Sequence, residues 1–132
     1  MNTSKATARI LIVEDDGIIA YSLQRVVTKL GYEVVGPVPS GEQAIQKASE
    51  TNPDLILMDI NLAGKLNGIE AAAQIQAQSA IPVVYLTGYT EDILFQDSEI
   101  GKPYAYLGKP IHERKLGDTL DEMLAERISK KL

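Results

Sequence analysis

Short apolar runs alternate along the chain with longer segments in which apolar residues recur every three or four positions. Nearly continuous apolar runs are typical of strands buried on both faces of a parallel sheet, and the recurring spacing is typical of amphipathic helices. The pattern therefore predicts five strands and five helices in alternation. We expect the second strand to end at Gly36, because Pro37 and Pro39 follow it. The strand-like runs span residues 9–13, 32–36, 53–60, 82–86 and 104–107.

The predicted helices differ in how clearly they are marked. The first has a core-facing stripe that ends near Gly31, and the second begins at Ser40, a capping residue, and stops before Pro53. The third covers residues 68–78. The fourth, residues 90–100, is polar with only a partial stripe, so we expect a short helix that rearranges easily. The apolar residues that mark the first and last helices are Ile18, Ile19, Leu23, Val26, Val27 and Leu30, then Leu116, Leu120, Met123, Leu124 and Ile128.

Alternating strands and helices make a (βα)5 chain of the α/β class. Crossovers between parallel strands are right-handed, so helices on both faces give a doubly wound sheet with the flavodoxin-like order 2-1-3-4-5. Such sheets bind ligands beyond the C-terminal ends of their strands, where the strand order reverses. Here that point lies between the first and third strands, which lead into Glu14, Asp15 and Asp59.

Length and composition fit one domain. The 132 residues are 45% hydrophobic, and we assign residues 9–132 to a single domain after a disordered polar tail at residues 1–8. A net charge of −5 without a basic stripe argues against nucleic acid as a partner. The lack of cysteine excludes disulfides and thiolate metal sites. Without a signal peptide or a run of about 20 apolar residues, we expect a soluble, cytoplasmic protein that does not engage a membrane.

Polar residues follow four of the predicted strands at the edge where a ligand would bind. An acidic cluster at residues 14–16 follows the first strand, Asp59 ends the third, Thr87 ends the fourth and Lys109 follows the fifth. Crowded carboxylates repel one another unless a cation compensates them, and Mg²⁺ suits an all-oxygen set. A lysine and a hydroxyl suit phosphoryl oxygens, and an aspartate can accept a phosphoryl group as an acyl phosphate. The pattern therefore predicts phosphoryl-transfer chemistry at this edge.

On these residues the chain resembles the receiver domain of response regulators, the phosphoacceptor module of two-component phosphorelay signalling. The resemblance runs from residue 9 to about residue 128. It implies that Asp59 is the phosphoryl acceptor and that Glu14, Asp15 and Asp59 bind Mg²⁺. It also implies that Asn61 is a metal ligand through its main-chain carbonyl.

The same resemblance gives roles to the remaining polar residues. Thr87 would contact the phosphoryl group, Lys109 would pair with it, and Tyr106 would be a switch that turns inward when Thr87 moves. The implied activity is Mg²⁺-dependent self-phosphorylation and slow hydrolysis of the aspartyl phosphate, not that of a conventional enzyme. The donor would be a sensor histidine kinase or phosphotransfer protein. The signal would pass to an effector protein or linked output domain through the 90–100 segment, the fifth strand and the last helix.

Two departures from the family pattern concern loops beside the predicted site. The loop between Asp59 and Gly68 is about one residue longer than is usual, and Ala63 stands where such loops often carry proline. Gly88 follows Thr87 where alanine is commoner. The first departure implies a metal-side loop that sits differently, and the second implies a different geometry of closure around the phosphoryl group.

Simpler roles compete with the functional ones. Asp16 directly precedes the first helix and is better assigned as its N-cap than as a metal ligand. Asp59 alone could be an ordinary strand end, and Thr87 could satisfy a neighbouring backbone group. Tyr106 fits a core position as well as a switch. His112, the only histidine, is assigned no role.

The same residues leave two other functions to compare with the receiver domain. A receiver-like interaction module that is not phosphorylated would keep the fold, but the complete acidic and basic set counts against it. A phosphatase or nucleotide-binding enzyme is disfavoured because no glycine-rich loop follows the first strand. The sequence is compatible both with a stand-alone regulator and with a receiver from a larger chain.

Overall fold

The protein folds around a five-stranded parallel sheet. The structure, a computed structural model, describes residues 8–88 and 104–131, with side chains up to residue 125. The strands are β1 Arg9–Val13, β2 Glu33–Val38, β3 Leu55–Asp59, β4 Val83–Thr87 and β5 Tyr104–Gly108. They lie in the order β2-β1-β3-β4-β5, and every neighbouring pair is parallel. The predicted α/β class and flavodoxin-like strand order are therefore confirmed.

Side-chain caps define where the first three of the described helices begin. These helices are α1 Gly17–Lys29, α2 Gly41–Thr51, α3 Gly68–Gln76 and α4 Glu113–Lys131. The predicted caps are confirmed, because Asp16 accepts hydrogen bonds from the first N–H groups of α1 and Ser40 does so for α2. Asn67 caps α3 through a reciprocal capping box that we did not predict. The predicted helix at 90–100 and residues 1–7 of the predicted tail lie outside the described residues.

The prediction that β2 ends at Gly36 is wrong, because the strand continues through Pro37 to Val38. Proline lacks the N–H that a central strand needs, but β2 lies at the edge of the sheet, where that loss is tolerated. The pairing with β1 is irregular at this point, and it resumes where Val13 meets Val38. The carbonyl of Val38 then accepts a hydrogen bond from Glu14 N–H at 3.0 Å. The extension of β2 to Val38 therefore fixes the backbone of Glu14, the first residue of the acidic cluster.

Alternating strand residues build one apolar core on each face of the sheet. Leu11 and Ile56 belong to the core that includes α2 and α3, whereas Ile10 and Leu55 belong to the core that includes α1 and α4. Ile18, which was expected in the core-facing stripe of α1, is instead 84% exposed. Among the helices described, none combines the length and the apolar character needed to cross a membrane.

Strand register decides which side chains meet at the C-terminal edge of the sheet. The last residue of β1 pairs with Met58, so Glu14 and Asp59 leave the sheet side by side. The last residues of β4 and β5 pair with each other, which places Lys109 beside Thr87. The strand ends that were predicted to converge do converge.

Candidate functional site

Asp59 and Lys109 form an ion pair at the C-terminal edge of the sheet. Lys109 Nζ lies 3.1 Å from Asp59 Oδ1 and 3.7 Å from Glu14 Oε1. The N–H of Asn61 donates a hydrogen bond to Asp59 Oδ1 as well, at 3.1 Å. Asp59 is only 2% exposed, so an ammonium group and a backbone N–H orient its carboxylate where little water reaches it.

The backbone of β4 fixes the position of Lys109. The N–H of Lys109 donates to Thr87 O at 2.8 Å, directly beyond the last paired residues of β4 and β5. Thr87 is buried, with 1% of its surface exposed. A hydroxyl and an ammonium group therefore end two adjacent strands, next to the strand that ends in Asp59.

Three carboxylates crowd together at the point where the strand order reverses. Oxygen atoms of Glu14, Asp15 and Asp59 lie within 4.8 Å of one another. Glu14 is 3% exposed; its Oε2 accepts a hydrogen bond from Asp16 N–H at 3.1 Å, and its Oε1 accepts none from the described residues. Asp15 is exposed, so the cluster opens to solvent on that side.

This donor set fits a hard divalent cation. Burial raises the pKa of Glu14 from 4.5 to about 7; the charge on Asp59 adds to this effect, while the Asp16 N–H and the charge on Lys109 oppose it. A cation in addition to Lys109 would relieve the repulsion among the three carboxylates and would give the buried Glu14 Oε1 a close partner. Mg²⁺ prefers carboxylate and carbonyl oxygens and keeps several waters, as a partly open acidic cluster allows.

The loop at residues 61–67, between β3 and α3, makes one contact with the acidic cluster and one with α2 that sequence reasoning missed. Ala63 N–H donates to Asp15 Oδ2 at 3.2 Å. Leu66 N–H donates to Glu42 Oε1, in the first turn of α2, at 3.3 Å. The one available signal was the alanine at position 63, because a proline there would have no N–H to donate.

Tyr106 and Asp16 occupy positions that ordinary packing and helix capping also explain. Tyr106 pairs with Tyr85 across β4 and β5 and packs, partly buried, against the core that includes α2 and α3. Asp16 serves as the cap of α1, as predicted. The His112 side chain is exposed.

Comparison with known proteins decides the family. A family model of the response regulator receiver domain matches residues 10–121. The chain belongs to the response regulator receiver domain family. A receiver domain is a module of two-component systems, and the candidate site lies at the ends of β1, β3, β4 and β5 of this one.

Relatives of this receiver domain include proteins of its own length and longer ones. Protein PilH of Pseudomonas aeruginosa is 36% identical over 124 residues, which cover 89% of this chain and 98% of PilH. Transcriptional regulatory protein PdtaR of Mycobacterium tuberculosis is 34% identical over 102 residues, which cover 77% of this chain and 49% of PdtaR. The chain thus spans about half the length of PdtaR.

A solved structure shares the fold and carries a metal. The receiver domain of sensor histidine kinase PA1611 from Pseudomonas aeruginosa has a TM-score of 0.80 and 29% identity, with 90% of this chain and 98% of that chain covered. That structure has a magnesium ion coordinated in its active site cleft. Its fold is that of the receiver domain described here.

Proposed function

We propose that this receiver domain accepts a phosphoryl group on Asp59, with Mg²⁺, from a sensor histidine kinase or a phosphotransfer protein. The observation that carries the proposal is the 3.1 Å contact between Lys109 Nζ and Asp59 Oδ1 beside the Glu14–Asp15 carboxylates. A buried carboxylate with a cation on one side and an acidic cluster on the other suits a phosphoryl dianion bridged to metal.

Phosphoryl transfer relies on positioning and charge stabilisation, and the described side chains supply both. An Asp59 oxygen forms a bond to phosphorus while the phosphorus–nitrogen bond of the donor's phosphohistidine breaks, and the leaving imidazole takes a proton from solvent. Lys109 then exchanges part of its contact with Asp59 for a phosphoryl oxygen. Thr87, at the neighbouring strand end, donates its hydroxyl to another. Slow attack by water later returns Asp59 to the carboxylate form.

The metal would be held by Glu14, Asp15 and Asp59, with the Asn61 carbonyl as a further ligand. When bound, it neutralises charge on the phosphoryl oxygens and on the carboxylates that face them. The buried Oε1 of Glu14 supports this assignment, because it accepts no hydrogen bond from the residues that the structure describes and its ion-pair contact with Lys109 Nζ is as long as 3.7 Å.

The proposed output is a change of surface, with Tyr106 as the switch. Thr87 and Tyr106 lie on adjacent strands, so a shift of Thr87 towards a phosphoryl group would free space on the side of β5. An effector protein or a linked output domain would read that surface. The proposed location of this exchange is the cytoplasm.

Reaction with a small phosphodonor tests the proposal. Incubation with acetyl phosphate and Mg²⁺ should add the mass of one phosphoryl group, in an adduct that alkali removes as expected for an acyl phosphate. Chelation of Mg²⁺ should prevent it. A chain that binds Mg²⁺ yet never gains this mass would point instead to the interaction module that is not phosphorylated.

A further inference from the structure

Between its two ends, the 61–67 loop donates hydrogen bonds to the carboxylates of Asp15 and Glu42, and only Asp15 belongs to the acidic cluster. Asp15 accepts from Ala63 N–H near the start of the loop, and Glu42 accepts from Leu66 N–H near its end. Asp15 is one of the three carboxylates within 4.8 Å of one another, whereas Glu42 is not. A bound cation would therefore compete with the loop for the Asp15 carboxylate, but it would leave the hydrogen bond from Leu66 N–H to Glu42 unchanged.

We infer that Glu42 is a positioning residue for the metal site, which acts through the 61–67 loop. This inference rests on the proposed function, since it concerns the loop that carries Asn61. The N–H of Asn61 orients Asp59, and its carbonyl is the proposed main-chain ligand. Outer contacts of this kind commonly set metal affinity by fixing the direction of the inner ligands.

The packing around Glu42 supports a built contact between α2 and the loop. A Cβ placed on Gly41 would lie 3.0 Å from Leu66 Cβ, so the helix start and the loop approach closely. Gly64 has a φ of +103°, and a Cβ placed there would lie 3.4 Å from Glu42 Oε2. Both carboxylate oxygens of Glu42 thus face the loop. The first turn of a helix also favours a negative side chain, which helps to retain Glu42 in this orientation.

Mg²⁺ titration of four proteins tests the inference. Calorimetry should give the dissociation constants of the wild type, Glu42→Ala, Glu42→Gln and Glu50→Gln. Glu42→Ala should weaken Mg²⁺ binding by about tenfold, because it removes the acceptor for Leu66 N–H. Glu42→Gln keeps an acceptor oxygen and should stay within about twofold of the wild type. Glu50→Gln removes the same charge at an exposed position in the last turn of α2 and should match Glu42→Gln.

Amide NMR signals of the metal-free proteins give a readout that does not depend on activity. In Glu42→Ala the signals of Leu66, Ala63 and Asn61 should shift, while those of β1 stay in place. Equal Mg²⁺ affinity in Glu42→Ala and the wild type would overturn the inference. Equal weakening in all three variants would also overturn it, because long-range charge would then be the cause. Failure of the wild type itself to bind Mg²⁺ would instead reject the proposed function.

Discussion

Gly68, the first residue of α3, packs directly against the backbone of Asp59. A Cβ placed on Gly68 would lie 2.2 Å from the Asp59 carbonyl oxygen, which is closer than carbon and oxygen can approach without displacement. The N–H of Gly68 donates to Ile60 O at 2.9 Å. The start of α3 thus packs against the end of β3, next to the backbone of the proposed phosphoacceptor. Only glycine fits as the first residue of the helix at this distance, because it has no Cβ.

Gly68→Ala should destabilise the domain and disturb the site together. The added methyl group must push α3 away from β3, at a cost of about 1–3 kcal/mol in the free energy of unfolding. Denaturant unfolding measures this loss, and a Mg²⁺ titration should show weaker binding because Asp59 moves. Gly17→Ala is the matched control: a Cβ there has no neighbour within 4 Å, so stability should be unchanged or slightly higher. Wild-type stability in Gly68→Ala would contradict this account of the packing.

The strand ends could be predicted because burial leaves a simple mark on sequence. Strands covered on both faces are almost entirely apolar, so the first charged residue marks the sheet edge, as at Glu14 and Asp59. Parallel connections then bring these ends together. The same reasoning failed at Pro37, because a proline is excluded from a strand only if the strand is central, and strand position follows from the whole topology.

The contacts that orient the site could not be predicted, because they depend on distances between segments far apart in sequence. Glu42 is an exposed glutamate in a first helical turn, and nothing local separates it from other capping-region acids. Gly68 has an ordinary helix-start pattern after Asn67, and its need for glycine arises only from the approach to Asp59. Residue types at the strand ends predicted the kind of site, whereas tertiary packing decides which residues of other segments, such as Glu42 and Gly68, contact the segments that form it.

Asp59→Asn should abolish the labile phosphoryl adduct formed with acetyl phosphate and Mg²⁺. The amide is a poor nucleophile and cannot form an acyl phosphate, while its size preserves the packing around β3. Intact-protein mass spectrometry should detect the adduct in the wild type and in Asp54→Asn, a control at the opposite end of the same strand region. Survival of the adduct in Asp59→Asn would move the acceptor to another residue.

Asp15→Ala should weaken Mg²⁺ binding far more than Asp16→Ala does. Asp15 contributes an oxygen to the acidic cluster, whereas Asp16 accepts hydrogen bonds from Ile18 and Ile19 N–H at the start of α1. Asp16→Ala should instead cost about 1 kcal/mol of stability through the lost cap. Calorimetric titration and thermal unfolding of both variants separate the two effects. Equal loss of metal affinity would mean that the cap also takes part in binding.

The metal-free domain should lose stability as pH rises from about 4.5 to about 7. Burial raises the pKa of Glu14 from 4.5 to about 7, so in this range the folded protein keeps a proton that the unfolded chain has lost. Unfolding then releases the proton, and rising pH favours it, by about 1–3 kcal/mol in total. Glu14→Gln should flatten this part of the pH profile. Saturating Mg²⁺ at pH 7 should restore stability in the wild type by taking the place of the proton, and a wild-type profile identical to that of Glu14→Gln would refute the assignment.

Thr87→Ala should separate phosphorylation from its distant effect. The N–H of Lys109, directly after β5, donates a hydrogen bond to Thr87 O, so closure of Thr87 on a phosphoryl group should also shift β5 at Tyr106. In the wild type, beryllofluoride with Mg²⁺ should change hydrogen exchange across residues 87–110 more than in α1. Thr87→Ala should still form the aspartyl phosphate but show little of this change, because the hydroxyl that is drawn inward is missing. Thr28→Ala removes an exposed hydroxyl from α1 and should respond as the wild type does. An unchanged exchange pattern in the wild type, with the mimic bound, would reject Tyr106 as a switch and leave the acceptor chemistry of Asp59 intact.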